Sequence, residues 1–398
     1  MGRIGRIEYK PFPVLHVLKE MKSLSQLAID LGYLAVLFNE KDLATELLRL
    51  EDRIDEDTYQ LWMSAALATR DAEDAERIVG IIKVGSSIDE ISDAAADLAR
   101  IVYLGLSTHP SLSRVFSRLE DRFSKVRVHA SSKLVGQTIG QASLDTKIGL
   151  EIIAIKRETW IIRPDDEEVL RAGDTLLTKG PSSRVEALKK FVRPSVRRVR
   201  AIRGFERVEE LLADIINTTD LMVDLAYTSL IYNNVEVAKE VISLEEQIDH
   251  WHYRLEIEAA RLLRRGRERG ILGLIRMGLI CEMISDAAAS IADMVARGLE
   301  SHEILTRALE EAEDTVLMRE VEHGSPMDGK TISETRLDER FNIKVLAVRK
   351  GPKWIYEPDD SMRVVGGDTV IATGIREGID EVKRLCSREW AAQNQSGS

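Results

Sequence analysis

The chain has 398 residues, a length that at ~150 residues per domain predicts two to four domains, each able to bury its own core. Its 44% hydrophobic and 31% charged residues exclude a disordered chain, and a net charge of −11 argues against a nucleic-acid partner, because phosphate binding needs a positive surface. Two cysteines, Cys281 and Cys386, far apart and without CxxC or zinc spacing, support neither a disulfide framework nor a cysteine metal site, which suits a reducing cytosol.

From the N-terminus, Met1 to Lys10 lacks the apolar core of a secretory signal, so export is not expected. The next hundred residues read as helices: Leu47, Leu50, Ile54 and Leu61 form one apolar stripe, and Ile88, Ile91, Ala95, Leu98 and Val102 form another. Asn39 is placed as the N-cap between the first two helices, and Asp71 opens the third on an acidic turn. Three helices of ~25–35 residues with short joints predict an antiparallel bundle. The texture then changes. Across Lys125 to Val192, β-branched clusters such as Glu151 to Lys156 read as strands, followed by Trp160, Pro164-Asp165-Asp166 and a Gly173-Asp174 turn. The stretch Arg193 to Arg203, with five arginines and Pro194, reads as a solvated linker. Beyond it, Asn233 sits where Asn39 sat, and a second helical region includes Ile271 to Ile284. That run is interrupted by Arg276 and Glu282, short of the ~20 apolar residues that span a bilayer, so no membrane insertion is expected. Asp314 to Cys386 returns to strands, with Ile343 to Arg349, Trp354, Pro358 and Gly367-Asp368 in the same order; the polar end Gln393 to Ser398 is assigned no role.

This order is a duplication. Ile81 to His109 aligns with Leu274 to His302 at a spacing of 193, with 13 identities in 29 positions, including Ile-Ser-Asp-Ala-Ala-Ala at 91–96 and 284–289. Leu50-Glu-x-x-Ile-Asp recurs from Leu244 at a spacing of 194, as do Asp30, Tyr33 and Asn39 in Asp224, Tyr227 and Asn233. The architecture is A-B-A-B.

Carboxylates recur with the repeat. Glu51 and Asp55, Asp89 and Asp93, Glu245 and Asp249, and Glu282 and Asp286 each stand four residues apart, on one helical face. Like charges at that spacing repel unless a cation offsets them, and oxygen ligands suit magnesium, manganese, calcium or iron. The alternative is solvated surface decoration. Asp97 extends the first set by a turn. Asp30 and Asp224 lie in apolar helix stretches and read as partly buried acids held by structural hydrogen bonds. His109 and His302, each after Gly-Leu-x-x, read as helix-end residues where a cationic imidazole is favoured. No Ser/His/Asp array, phosphate loop or catalytic cysteine context is present, and Met1-Gly-Arg-Ile-Gly-Arg is not a strand-anchored GxGxxG, so neither an enzyme nor an NAD site is expected.

On these residues the A units resemble PhoU-type helical bundles through their Glu/Asp-x-x-x-Asp motifs. The B units resemble the TrkA-C (RCK_C) regulatory domains of potassium-transport proteins through Leu134-x-Gly136 with its counterpart Gly329, the strands bearing Arg157 and Arg349, Pro164 with Gly173-Asp174, and Pro358 with Gly367-Asp368. The resemblance implies an α+β multidomain fold, with PhoU-like three-helix bundles at 13–110 and 204–303 alternating with small α/β TrkA-C domains at 122–193 and 312–387. It implies a divalent or trivalent metal (Mg, Mn, Fe or Zn) on the eight carboxylates. It also implies a small ligand such as cyclic di-AMP near Ile153, Ile155, Arg157, Ile161 and Pro164, matched by Val345, Ala347, Arg349, Ile355 and Pro358. Strand residues of this kind also serve simply as sheet core. The implied function is a non-enzymatic, homodimeric cytoplasmic regulator at the inner face of the membrane, binding a potassium channel or cation transporter there. The alternatives are a PhoU-type phosphate-signalling adaptor and a metal-storage protein or metal-dependent enzyme using the bundle carboxylates, which needs a substrate cavity.

Overall fold

The computed structural model describes residues 7–119, 121–144, 150–181, 193–194, 204–264, 270–299, 302–312 and 314–388. In the first half, helices α1 (Val14–Phe38), α2 (Lys41–Ala68) and α3 (Ala72–Tyr103) are followed by a short α4 (Pro110–Phe116). A first sheet region carries β1 (Asp121–Arg127), α5 (Ile139–Ala142), β2 (Glu151–Lys156), β3 (Trp160–Ile162), β4 (Thr175–Pro181) and β5 (Arg193–Pro194). The second half repeats the plan with α6 (Glu206–Ile231), α7 (Val235–Leu263), α8 (Ile271–Ala296) and α9 (Glu303–Glu310). After them come β6 (Asp314–Glu320), α10 (Ile332–Thr335), α11 (Leu337–Phe341), β7 (Lys344–Lys350), β8 (Lys353–Tyr356), β9 (Thr369–Ile375) and α12 (Arg376–Cys386).

Among the described residues six long helices run 25, 28 and 32 residues in the first half and 26, 29 and 26 in the second. The A-B-A-B order of the chain resolves into two compact units: a helical one from both A regions and a sheet one from both B regions. Within the helical unit, α1 packs on α2 and α3, α6 packs on α7 and α8, and α3 packs on α8. Helix α1 is long and apolar enough to cross a bilayer, yet it is mostly buried inside this unit, apolar nearly all round because neighbours surround it. Small residues set the helix spacing. A Cβ on Gly85 would collide with Leu61, and one on Gly278 with Leu255, so α2 and α7 approach α3 and α8 closely. The buried Tyr33 hydroxyl lies 3.5 Å from Asp220 Oδ1 and 4.0 Å from Cys281 Sγ, joining the two bundles. Burial holds the Cys281 thiol protonated, and both cysteines are free.

Three local readings change. Asn39 is the C-cap of α1, in the left-handed conformation at φ 51°, which Asn tolerates; its Oδ1 accepts from Ser107 Oγ at 2.6 Å. Asn233 is likewise left-handed, and its neighbour Asn234 is the N-cap of α7, accepting from Glu236 N and Val237 N. His109 and His302 cap the starts of α4 and α9, their Nδ1 atoms accepting from Ser111 N and Ile304 N at 3.2 and 3.1 Å. An accepting Nδ1 is unprotonated, so neither cap is the C-terminal cation expected from sequence; burial lowers the pKa of His109 accordingly. Asp71 does cap α3, accepting from Asp74 N at 2.9 Å.

In the sheet unit each B region forms an antiparallel sheet, of order β3-β2-β4-β1-β5 in the first and β6-β9-β7-β8 in the second. Both carry a bulge at the same place, between Ile152 and Ala154 and between Val345 and Ala347. The linker reading fails at its start, since Arg193 and Pro194 are β5, paired with Arg127 and Val126 of β1; residues 195–203 and the tail 393–398 lie outside the described residues. Arg157 donates to the buried Asp174 from Nε at 2.9 Å and to Glu168 from Nη1 at 2.7 Å. Stranding a buried carboxylate of this kind costs ~3–5 kcal/mol.

The glycine contacts yield a direct test. Gly85→Val forces its side chain against Leu61 and is expected to lower unfolding free energy by ~2 kcal/mol, as overpacking a filled core does, read from chemical denaturation of the full chain; an unchanged midpoint contradicts the close approach.

Candidate functional site

Where α2 and α3 are drawn together, Glu51 and Asp55, one turn apart on α2, face Asp93 on α3. Each offers an oxygen within 4.8 Å of the others, and Glu245, Asp249 and Asp286 repeat the group between α7 and α8. Six of the eight expected carboxylates thus gather into two triads. Asp89 and Glu282 flank them. Asp89 accepts from Thr58 Oγ1 at 3.0 Å, and Glu282 Oε2 lies 3.6 Å from His252 Nδ1. Thr58 and His252 occupy equivalent positions, 194 apart, and escaped the sequence reading because a lone Thr or His on a helix carries no motif. Asp97 stands apart from the triads, paired with Arg100 at 2.8 Å. Asp30 is buried in α1 and Asp224 half-buried in α6; neither joins a carboxylate triad.

Electrostatics reflects the crowding. Burial first, then Asp55 and Asp93, push the Glu51 carboxyl up to about 7. Asp89 is pushed up to about 6, mainly by burial, against the opposing hydrogen bond from Thr58. Asp55, Asp93, Glu245, Glu282 and Asp286 are all raised, each chiefly by burial and then by neighbouring charge, with the Asp89 and His252 contacts opposing in Asp55 and Glu282. Glu90 of α3 adds to the field at both Asp93 and Asp286, so the two clusters feel one common charge across the α3–α8 contact. Its counterpart by position is Met283, partly exposed. Three convergent oxygens with no nitrogen or sulfur fit a hard cation, with remaining positions for water, better than they fit zinc.

The expected ligand residues of the sheet unit are placed differently. Ile155 and Ile161 are cross-strand partners within the first sheet's core, Ile153 and Ala347 are buried, and Val345 packs on the second core. Pro164, Ile355 and Pro358 are half-buried. Register corrects the pairing between copies. Ala154 and Ala347 hold equivalent bulge positions, so the counterpart of Arg157 is Lys350, which pairs with Asp368, while Arg349 donates to Thr369 Oγ1 at 3.1 Å and lies over the Trp354 ring.

Comparison with known proteins places names on both units. A PhoU domain model matches residues 18–102 and 212–295, and a TrkA-C domain model matches residues 123–193 and 316–387. Among solved structures, PhoU from Pseudomonas aeruginosa is 14% identical with a TM-score of 0.39, the match covering 72% of this chain and 96% of that one. The GsuK RCK domain is 17% identical with a TM-score of 0.17, covering 67% and 63%, and the GsuK channel 14% identical with a TM-score of 0.18, covering 78% and 65%. The chain thus spans a little under two thirds of either GsuK structure. No curated protein matches.

The raised carboxyls set a pH dependence. With Glu51 at about 7 against an ordinary 4.5, the folded unit binds more protons than the unfolded chain between those values. Stability is therefore fully present at the acidic end and is lost as pH rises through about 7. The thermal midpoint of metal-free protein is expected to rise on lowering the pH across this window, with a flatter slope in Glu51→Gln; equal slopes contradict the cluster's electrostatics.

Proposed function

Because the chain is built of two PhoU domains and two TrkA-C domains, both regulatory families, we propose that this regulatory protein controls transmembrane transport of potassium or another cation. It does so by binding a membrane channel or transporter from the cytoplasmic side. The observation that carries this reading is the presence, twice over in one chain, of a domain family tied to potassium transport beside a second regulatory family.

Regulation requires an input that prefers one state of the protein. In this reading one input is a hard cation held by Glu51, Asp55 and Asp93, and by Glu245, Asp249 and Asp286; Asp89 and Glu282, held by Thr58 and His252, orient the flanks. When bound, the cation supplies positive charge that cancels the mutual repulsion of the carboxylates. The other input is a small ligand of the TrkA-C domains, of which cyclic di-AMP is one candidate. Arg157 is already engaged by Asp174 and Glu168, so an anionic ligand meets an occupied guanidinium in the first domain, whereas Arg349 makes a lighter contact with Thr369 in the second. Pairing of TrkA-C domains between two chains gives a homodimer. The PhoU domains favour a second reading, a phosphate-signalling adaptor.

Two measurements test these parts separately. The purified full chain, used as bait on detergent-solubilised membranes of its source, is expected to retain a potassium channel or cation transporter, identified by mass spectrometry. Recovery of phosphate-uptake components instead favours the second reading. Asp93→Asn with Asp286→Asn is expected to remove most of the bound manganese seen by elemental analysis after loading and desalting, with the helical circular dichroism signal retained; unchanged stoichiometry removes the metal sites and leaves the transport reading intact.

A further inference from the structure

The two halves of the helical unit differ at one end, and the difference opens a cavity. Ala65, Ile78 and Ile81 line an apolar pocket of about 330 Å3, with Arg70, Arg77 and His302 among the polar groups around it. At the equivalent place in the second half the described residues pack more closely. Ala68, an exposed lining residue of the pocket, is replaced 194 positions on by Leu262, which is 4% exposed. Arg77 is replaced by Gly270, whose Cα lies so near His109 that a Cβ there would collide with its ring. Phe205 closes the rest, 1% exposed, with its ring 4.9 Å from that of His109. Beside it Arg114 Nε donates to the fully buried Glu209 at 2.7 Å, and the residue in the place of Glu209 in the first half is Leu15. Among the described residues, the second copy is closely packed where the first is open.

The polar groups define what fits. Arg70 and Arg77 are exposed guanidinium groups, each paired along its own helix segment, with Asp74 at 2.9 Å and Glu73 at 2.6 Å. Each has further donors in its fork to offer an incoming anion. His302 uses Nδ1 as the acceptor of its cap bond, which leaves Nε2 as the proton-bearing nitrogen and hence a donor. Ser64 adds a hydroxyl and Asp74 the one carboxylate among the lining groups. We propose that this pocket binds an organic anion with an apolar body, its carboxylate or phosphate at Arg70 and Arg77 and its body on Ala65, Ile78 and Ile81. The volume, in the lower part of the ~300–1,000 Å3 range of small-molecule sites, admits a chain or ring system of modest size. The site is independent of the metal clusters and of the TrkA-C ligand, so it stands or falls separately from the reading above.

The test uses octanoate as probe, octanol as its uncharged counterpart, and the full chain. Octanoate is expected to bind saturably with one site per chain by titration calorimetry, with nuclear Overhauser contacts from its methylenes to the methyls of Ile78 and Ile81. Ala68→Leu, which copies the closed half, is expected to weaken octanoate at least tenfold. Arg70→Gln with Arg77→Gln, both at the surface and free of core consequences, is expected to weaken octanoate about tenfold and leave octanol unchanged. Absence of saturable binding, or an affinity unmoved by Ala68→Leu in a folded protein, overturns the site. Octanol binding as tightly as octanoate overturns the assignment of an anion.

Discussion

A glycine facing a leucine sets the helix spacing on which each carboxylate cluster depends. Gly85 receives Leu61 and Gly278 receives Leu255, two turns of helix before Asp93 and Asp286 respectively. With no Cβ at those points, α2 and α7 come near enough to α3 and α8 for acids on facing helices to converge within 4.8 Å. The convergence opposes stability. Glu51, Asp55 and Glu245 are half-buried while Asp93, Asp249 and Asp286 lie at the exposed edge, and partial burial together with neighbouring charge raises the carboxyls of Glu51 and Asp93. The same arrangement stands in both halves, and on the proposed reading a bound cation offsets the repulsion in each.

Duplication explains much of the remainder, and its failures are as informative as its successes. The bulges at Ile152 and Val345 and the αL turns at Asn39 and Asn233 repeat faithfully, because each solves a local geometric problem that both copies share. The flank of each triad diverges in residue, Thr58 against His252, yet keeps a polar contact to the neighbouring acid. The charged support of the sheets diverges too: Asp174 takes a forked guanidinium, while Asp368 takes the ammonium of Lys350. Where Ala68 and Arg77 became Leu262 and Gly270, space itself was gained or lost. Divergence at that last place changes what the two ends of the helical unit can hold.

Much of this was legible in the residues. The apolar stripes through Leu47 and Ile88 gave the helices, and the recurrence of Glu51-Asp55 and Asp93 at fixed spacing singled out the acids that meet. Sequence does not say which acids converge across two helices, and so Asp89 and Glu282 were grouped with the triads they flank. Capping was misplaced by one side of a turn: Asn39 ends a helix where a start was expected, and His109 and His302 start helices where a C-terminal charge was expected. These errors share a cause, since the same polar residue serves either end of a helix and only the backbone dihedrals decide. A one-residue ambiguity in β-strand alignment paired Arg157 with Arg349; the bulge settles it in favour of Lys350. The grouping of both helical regions into one unit comes from tertiary packing of α3 on α8 and has no local signature.

The TrkA-C domains belong to a family tied to potassium transport, and on the proposed reading the helical domains take up a cation and the output is a change in a membrane partner. The most direct measurement is potassium flux, followed with rubidium as tracer, in inverted membrane vesicles from the source organism, where the cytoplasmic face is outward, with and without added full-length protein. A dose-dependent change in flux that shifts with manganese is the predicted result. Flux that stays constant over the whole range of added protein, while phosphate uptake responds, contradicts it.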